Sequence, residues 1–382
     1  MKVRNRLLIE LILSVFMVAF PGAGALAKDV DQPESRLNAE TFRGLALRNI
    51  GPALKSGRIA DLVIHPADES IWYAAVASGG IWKSINAGTT WTPIFDDQAS
   101  YSIGCLATDP GNPNVIWAGT GEDVGTRHVG FGDGIYRTDD GGKTWQFTRI
   151  GGEDLDFRDI QAFDAQRCLA MSAGTGPASR IYRTRDGGKT WQLAHQNTEP
   201  KGFFNGFAFR DQKRGILAGD PVGGRLFLLA TDDGGASWHR IAKETAPQMD
   251  TGEQALAASG THPTGNNEGP RRATSGGQAA PLVHSSTWGA AWPTTPPPAT
   301  AGQPSTGIFS IAFQGRSGTA IGGDYKKESE GVDNAMRSGD GGKSWQLVRK
   351  KNGASPFPFR SCLGYLDAKT LVAVGPSGTN IS

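Results

Sequence analysis

The octapeptide Thr138-Asp139-Asp140-Gly141-Gly142-Lys143-Thr144-Trp145 recurs along this chain of 382 residues. Six related segments end in a tryptophan, and successive copies lie 54, 46, 47, 54 and 53 residues apart. The final residues of the copies are Trp91, Trp145, Trp191, Trp238, Trp292 and Trp345. Self-similarity at a period of about 50 residues is the signature of a repeat architecture.

The chemistry of this octapeptide predicts a hairpin turn. Its pattern is Ser/Thr-x-Asp-x-Gly-x-Ser/Thr-Trp. The carboxylate can accept hydrogen bonds from the backbone N–H groups that follow it, glycine permits a positive φ, and the tryptophan brings a large apolar face to the next strand. We therefore assign structural roles, and not catalytic or metal-binding ones, to Asp140, Asp186, Asp233, Asp340, Trp91, Trp145, Trp191, Trp238 and Trp345.

Each period also contains two short apolar runs before the octapeptide. In the first period these are Ile59 to Ile64 and Ile71 to Val76. Together with the two strands of the hairpin they give four short strands per period, which is typical of a propeller blade. The sequence predicts an all-β protein, a seven-bladed β-propeller with blade five degenerate and blade seven incomplete.

The spacing also sets expected boundaries. Residues 42–382 form a single propeller, and an N-terminal linker spans residues 28–41. The expected blades span residues 53–98, 99–151, 155–198, 201–246, 247–304 (degenerate), 305–352 and 357–382, and a closing strand at residues 46–50 completes the last blade. One further strand of that blade is missing, which leaves open whether the sequence is a fragment.

The first 27 residues have the layout of a secretory signal peptide. Three cations precede the apolar run Leu11 to Phe20, and Ala25-Leu26-Ala27 is a small-x-small cleavage site. The run is too short for a bilayer span, which takes ~20 residues, and no later stretch is apolar enough. We expect a periplasmic or extracellular protein without a membrane span after removal of the signal.

Composition excludes several function classes. The formal net charge is +2, and Lys2, Arg4, Arg6 and Glu10 account for it, so the mature chain is neutral. That balance gives no reason to expect nucleic acid as a partner. The three cysteines, Cys105, Cys168 and Cys362, are far apart and favour buried thiols over a disulfide framework or a zinc site. No cofactor and no metal is expected.

The octapeptide resembles the Asp-box, or BNR, repeat. This repeat occurs in sialidases, sortilin-type receptors, xyloglucan-hydrolysing glycoside hydrolases and the photosystem II stability/assembly factor family. Early segments resemble secreted bacterial BNR-repeat proteins of the glycosyl hydrolase type: Leu47 to Pro52, Ser78 to Ser84 and Gly119 to Glu122. Later segments resemble the assembly-factor family: Gly307 to Phe313, Gly322 to Lys327 and Val372 to Gly378. The resemblance implies a propeller and is poorly specific for function.

Candidate binding residues lie on the face opposite the octapeptide turns. There, inner strands begin and the loops between second and third strands project, and loops on a rigid scaffold commonly carry function. We expect a mixed-charge funnel formed by Arg58, Arg158, Arg360, Glu122, His128, Asp220, Asp324, Tyr325 and Lys326. The opposing interpretation is that each of these residues is a solvated charge or a strand anchor.

Two function classes remain. A glycosidase requires two carboxyl groups flanking one bond, and Glu122, Asp220 and Asp324 are the candidates. The resemblance to xyloglucan-hydrolysing enzymes implies an acidic residue before Gly79-Gly80, where this chain has Val76-Ala77-Ser78. The sialidase element Arg-Ile-Pro is replaced by Arg58-Ile59-Ala60. The leading hypothesis is therefore a non-catalytic secreted propeller that binds protein or peptide, such as a subunit of an envelope or membrane complex; the alternative is a glycoside hydrolase acting on a polysaccharide.

Overall fold

The computed structural model describes residues 59–121, 130–152, 154–254, 270–273, 277–278, 281–366 and 369–382. These residues belong to one compact unit, Asn49–Ser382. Within the described ranges the regular structure is antiparallel strand, apart from one short 3-10 turn at Gly176–Ala178. The predicted all-β class and the propeller fold are confirmed.

The strands group into sheets in strict chain order. The first two sheets contain β1 (Ile59–Ile64), β2 (Trp72–Val76), β3 (Gly80–Ser84), β4 (Thr92–Pro93), β5 (Ile103–Asp109), β6 (Asn112–Thr120), β7 (Ile135–Thr138) and β8 (Gln146–Thr148). The next two contain β9 (Asp156–Ala162), β10 (Cys168–Ala173), β11 (Arg180–Thr184), β12 (Gln192–Gln196), β13 (Phe204–Phe209), β14 (Gly215–Val222), β15 (Arg225–Thr231) and β16 (His239–Arg240).

The remaining sheets are less uniform. They contain β17 (Arg271–Ala273), β18 (Leu282–His284), β19 (Thr294–Thr295), β20 (Thr306–Gln314), β21 (Ser317–Asp324), β22 (Ala335–Ser338), β23 (Gln346–Leu347), β24 (Cys362–Tyr365), β25 (Leu371–Gly375) and β26 (Gly378–Ile381). β20 to β23 form a four-stranded sheet, whereas β17 to β19 and β24 to β26 form sheets of three strands.

The predicted count of seven blades is wrong, because six of the sheets are blades and the fifth sheet is only a remnant. Its strands have 3, 3 and 2 residues. The octapeptide-like segment 285–292 lies between β18 and β19, so these strands take the positions of third and fourth strands, and no innermost strand of this sheet lies among the described residues. Pro296 to Pro298 cannot donate ladder hydrogen bonds, which shortens this sheet. We name the blades 1, 2, 3, 4, 6 and 7 by their order in the sequence.

Neighbouring sheets share hydrophobic cores, and these cores close the ring. Leu62 and Trp72 of blade 1 pack with Val372 and Val374 of blade 7. The fifth sheet, although small, still contributes Val283 to the core shared with blade 4 and Leu282 to the core shared with blade 6. Blade 7 has three described strands, and the predicted closing strand at residues 46–50 lies outside the described residues.

Candidate functional site

The octapeptide turns form one face of the ring, and their carboxylates are engaged locally. In blade 2 the Asp140 carboxylate accepts hydrogen bonds from the Thr138 hydroxyl (2.7 Å), the Thr144 N–H (3.0 Å) and the Thr144 hydroxyl (2.7 Å). Asp186, Asp233 and Asp340 repeat these contacts in blades 3, 4 and 6. Gly141 and Gly142 have φ values of 70° and 90°, which glycine adopts without strain.

These hydrogen bonds stabilise the ionised form of each box carboxylate. The hydroxyl and N–H of Thr190, with the hydroxyl of Thr184, lower the pKa of Asp186 to about 2. The corresponding bonds, led by the Thr138 hydroxyl, hold the pKa of Asp140 well below its usual range. A carboxylate that is saturated by its own turn is a poor general acid, so the geometry fits a structural role.

The box tryptophans pack between neighbouring sheets. Trp145 of blade 2 lies edge-on to Phe95 of blade 1 at 5.1 Å between ring centroids, and its indole N–H donates to the Ile94 carbonyl at 2.9 Å. Trp191 lies 6.0 Å from Trp117 in the same way between blades 3 and 2. The turns of blades 2 and 3 are thereby fixed to the blade that precedes each of them.

On the opposite face, blades 3 and 4 bring two of the predicted residues together. Arg158 lies in β9 with its guanidinium carbon 5.3 Å from the ring centroid of Phe203. The Asp220 N–H donates to the Phe203 carbonyl at 2.9 Å, and the Asn205 amide donates to the Asp220 carboxylate at 2.8 Å. We call Arg158, Phe203, Asn205 and Asp220 the blade 3/4 patch. It offers a cation from the innermost strand of blade 3, and an aromatic face and a carboxylate from the neighbouring blade 4.

Blades 6 and 7 carry a second group of predicted residues. The Asp324 carboxylate accepts the Lys326 N–H at 3.0 Å, and Lys326 is exposed. The Tyr325 ring lies edge-on to the buried Phe309 at 6.1 Å, and Phe309 packs in turn against Phe359. The loop therefore presents a partly exposed phenol supported by two buried rings, flanked by one anion and one cation.

Arg360 is a different case, because its guanidinium is buried. Arg360 is 3% exposed. Its guanidinium donates to the Asn380 side-chain oxygen at 2.9 and 2.6 Å, to the Phe359 carbonyl at 2.8 Å and to the Ser377 hydroxyl at 2.8 Å. Burial lowers the pKa of Arg360. These contacts tie the entry of blade 7 to its last described strand, which fits the anchor interpretation of this residue.

Three other predicted residues, Arg58, Glu122 and His128, lie outside the described residues. Two of them belong to the segment between β6 and β7, whose described part contains an anchor at Asp133. Thr120 and Tyr136 each donate a hydroxyl hydrogen bond of 2.7 Å to the Asp133 carboxylate. Beside this anchor Phe131 is 83% exposed, which places an apolar ring on the same face as the blade 3/4 patch.

One carboxyl on this face was missed by sequence reasoning. Glu253 is 5% exposed, its Oε2 accepts the Asp250 N–H at 2.9 Å, and its Oε1 has no hydrogen-bond partner among the described residues. Burial raises the pKa of Glu253. Its only sequence signal was a lone acid in a segment rich in alanine, glycine and proline, which does not distinguish it from a surface charge.

Neither a metal-binding cluster nor a membrane-spanning helix is present in the described part of the chain. There, His, Cys, Asp and Glu side chains form no group of three that would hold a metal ion. Cys105, Cys168 and Cys362 are buried, and burial raises the pKa of the first two thiols. No helix within the described ranges has the length and apolar character of a membrane span.

Two of the octapeptide hairpins match a known repeat family. The family described as BNR/Asp-box repeat matches residues 136–147 and 182–193, the hairpins that contain Asp140 and Asp186. The chain carries BNR/Asp-box repeats and folds as a β-propeller. The other four octapeptides share the residue spacing of these two matched copies.

Two curated relatives of this Asp-box propeller are xyloglucanases. The enzyme of Paenibacillus sp is 27% identical over 213 residues, which are 47% of this chain and 20% of the relative. The enzyme of Hypocrea jecorina (strain QM6a) is 28% identical over 100 residues, 25% of this chain and 12% of the relative. The Asp-box propeller therefore matches about a fifth or less of the length of these relatives.

Solved structures share the fold of the Asp-box propeller. YCF48 bound to D1 peptide has a TM-score of 0.58 at 16% identity, covering 85% of this chain and 92% of that chain. YCF48 from Cyanidioschyzon merolae has a TM-score of 0.57 at 15% identity, covering 86% and 96%. The GH74 xyloglucanase from Xanthomonas campestris has a TM-score of 0.59 at 18% identity, covering 87% of this chain and 52% of that chain.

Proposed function

We propose that this protein is an exported, non-catalytic propeller that binds an extended peptide segment on the face opposite the Asp-box turns. The observation that carries the proposal is the blade 3/4 patch. A guanidinium beside an aromatic face suits a carboxylate or a backbone carbonyl of a peptide. The Asp220 carboxylate, which the buried Asn205 amide holds in place, suits the N–H groups of the same segment.

Two further observations support peptide binding over hydrolysis. In blade 1, the turn before Gly79-Gly80 has the buried side chains of Ala77 and Ser78, and it offers no carboxyl group to a substrate. The fold match extends over 92% of a YCF48 chain that was solved with a bound peptide, whereas it extends over 52% of the chain of the Xanthomonas xyloglucanase. The proposed partner is a protein or peptide, such as a subunit of an envelope or membrane complex.

The test starts from peptides selected by the protein itself. A random peptide library displayed on phage is panned on immobilised full chain, and the recovered peptides are synthesised and titrated by calorimetry. Arg158→Ala is expected to weaken binding by about tenfold, the loss of one charge-assisted hydrogen bond. Arg185→Ala removes an exposed arginine on the Asp-box face and is the matched control, expected to bind as wild type.

Equal affinity of Arg158→Ala and wild type for every selected peptide would contradict the proposed site. Failure to recover any peptide that binds above background would contradict the proposed class of ligand. The comparison of affinities requires that the variants unfold at the same temperature as wild type, which thermal melting checks.

A glycoside hydrolase is the second candidate, favoured by the identity shared with the Paenibacillus xyloglucanase over 213 residues. The carboxyl groups available are Glu122, Asp220, Asp324 and the buried Glu253. Xyloglucan, sialosides and aryl glycosides are incubated with the purified protein, and released reducing sugar is measured. Turnover that is abolished by Glu122→Gln or Glu253→Gln would favour the enzyme; the peptide-binding proposal expects no turnover.

Export rests on the N-terminal segment. Residues 1–27 carry the charge and hydropathy pattern of a signal peptide. Expression of the full chain in a bacterium, followed by cell fractionation and N-terminal sequencing, should give a periplasmic or extracellular product that begins at Lys28. A cytoplasmic product that still begins at Met1 would contradict export.

A further inference from the structure

A small cleft lies on the Asp-box face between blades 2 and 3, away from the blade 3/4 patch. Its volume is about 100 Å³, and Trp117 and Trp191 form part of its wall. Phe147 of β8 is 47% exposed at its edge. Arg137, Gln146 and Lys189 supply the polar part of the lining. The cleft therefore combines aromatic surface with hydrogen-bond donors.

The preceding interface shows why a cleft exists here. Between blades 1 and 2 the equivalent place is filled by Ile94, whose N–H pairs with the Ile81 carbonyl and whose carbonyl accepts the Trp145 indole N–H at 2.9 Å. Between blades 2 and 3 the register puts Thr148 at that position, opposite Ile135. Threonine is smaller than isoleucine, and its hydroxyl is bonded to the Gly188 carbonyl at 2.9 Å. The space that Ile94 occupies in one interface is thus empty in the next.

The interface between blades 2 and 3 also contains buried donors without acceptors among the described residues. The indole N–H groups of Trp117 and Trp191 and the Nε–H of Arg137 are buried and have no hydrogen-bond partner among the described residues. The terminal nitrogens of Arg137 are paired with Asp139 at 2.9 and 2.5 Å, so Nε is the group that remains. Trp117 is 0% exposed. Buried donors without acceptors are rare in proteins and call for an explanation.

We propose that this cleft binds a carboxylate carried on a short carbon chain, as in the acidic residue of a partner peptide. The unpaired groups are all donors, and a carboxylate is an acceptor with two oxygens. Asp139 already neutralises the charge of Arg137. The net positive charge at the rim therefore comes from the exposed Lys189. The volume is below the roughly 150 Å³ of an engineered cavity that holds benzene, so it suits a two- or three-carbon acid better than a sugar ring. This site is independent of the function proposed above.

The experiment observes the indole N–H groups directly. The full chain is labelled with ¹⁵N in its tryptophan side chains, and sodium acetate is titrated against sodium chloride at equal ionic strength. The Trp191 resonance, assigned with Trp191→Phe, is expected to shift and saturate with acetate but not with chloride or acetamide. A shift that grows linearly without saturation, or that chloride reproduces, would overturn the proposal.

Two variants place the effect in the cleft. Thr148→Ile copies the residue of the preceding interface and is expected to abolish the acetate shift. Lys189→Gln changes an exposed side chain without disturbing the fold and is expected to raise the acetate dissociation constant by about fivefold, as for a partly screened ion pair. An unchanged dissociation constant in Lys189→Gln, or an unchanged shift in a folded Thr148→Ile, would refute the site.

Two probes then separate the sources of the carboxylate. N-acetyl-aspartate amide presents a side-chain carboxylate, and N-acetyl-glycine presents a C-terminal one. Saturation by either compound at lower concentration than acetate supports the proposal and names the source. Saturation by glucuronate alone, with acetate and both peptide analogues inactive, would assign the cleft to a saccharide and overturn the proposal.

Discussion

The Asp61 carboxylate joins the innermost strands of blades 1 and 2: one oxygen accepts the Leu62 N–H and the other accepts the Leu106 N–H, each at 2.8 Å. Asp159 repeats this bridge between blades 3 and 4 through the N–H groups of Ile160 and Phe207. Asp61 is 4% exposed and lies at a register shift between Ile59 and Asp61 in the β1–β2 pairing. A β-bulge of this kind turns a side chain out of the regular ladder, and here it directs a carboxylate to the neighbouring blade.

Asp61 should make stability depend on pH. Burial raises its pKa from 3.8 to about 6, although the two N–H groups partly oppose that shift. Between these values the folded protein holds more protons than the unfolded chain, so the free energy of unfolding should fall as the pH rises from about 4 to about 6. Urea unfolding of wild type and Asp61→Asn over that range should show this effect, because the free energy of unfolding of the variant should lack the part of its pH dependence that comes from Asp61.

The control for Asp61 is Asp232→Asn, which removes an exposed carboxylate of blade 4. Asp61→Asn keeps one acceptor oxygen but places an amide group opposite one N–H, so we expect it to be less stable than wild type by about 1–3 kcal/mol at pH 4. If the difference between wild type and Asp61→Asn were independent of pH, the raised pKa would be wrong.

Asp186 should make the free energy of unfolding depend on pH in the direction opposite to that of Asp61. Its folded-state pKa is lowered to about 2, so its contribution to stability is present above the unfolded value of 3.8 and is lost as the pH falls towards 2. Asp186→Ala should lower the free energy of unfolding at pH 7 by about 1–2 kcal/mol, because several turn hydrogen bonds are lost. The deficit relative to wild type should shrink at acid pH, as measured by thermal melting at pH 7 and pH 3.

The first Asp-box supplies the matched control for that experiment. Asn86 stands where four of the other octapeptides have aspartate; its side-chain oxygen accepts the Thr90 N–H at 2.8 Å, and its amide donates to the Thr90 hydroxyl at 2.9 Å. Asp186→Asn should therefore keep most of the stability that Asp186→Ala loses, and it should lack the pH dependence. Equal losses in both variants would mean that the turn does not depend on the acceptor oxygen.

Arg360 and Arg158 should respond differently to the same substitution. Arg360→Ala removes four hydrogen bonds from a residue that is 3% exposed, and leaves the Asn380 and Ser377 side chains without this partner. We expect a loss of about 3 kcal/mol or more in the free energy of unfolding, and little recovery with Arg360→Lys, since a lysine cannot form the forked contact. In the same urea experiment, the free energy of unfolding of Arg158→Ala should lie within about 0.5 kcal/mol of the wild-type value, as is usual for a partly exposed side chain. A stable Arg360→Ala protein would contradict the anchor role.

The predicted closing strand can be tested at the edge of blade 7. β26 is the outermost described strand of that blade, whereas the four-stranded blades have one more strand outside the equivalent position. If residues 46–50 pair with β26, their amide hydrogens should exchange slowly, and deletion of residues 28–52 should speed exchange at Gly378–Ile381. Fast exchange at 46–50 in the intact chain would show that another segment, or none, takes this place.

The sequence by itself determined the turns, their number and the all-β ring. The contacts of Asp140 or Asn86 lie within eight consecutive residues, so the pattern of those residues was enough to predict both the turn and the tryptophan that follows it. The order of the sheets followed because each blade is a local meander. The count of blades did not follow, because the fifth period keeps its octapeptide spacing while its strands are reduced to 3, 3 and 2 residues.

Only the tertiary structure decided how residues at similar positions in the sequence differ in burial and in hydrogen-bond partners. Arg158 and Arg360 both precede or begin an inner strand, yet Arg158 is partly exposed beside an aromatic ring and Arg360 is buried among polar partners. Thr148 and Ile94 hold the same place in successive blades, and the difference between them opens a cleft. Burial and hydrogen-bond satisfaction arise between strands that are far apart in the chain, and such contacts leave no local pattern in the sequence.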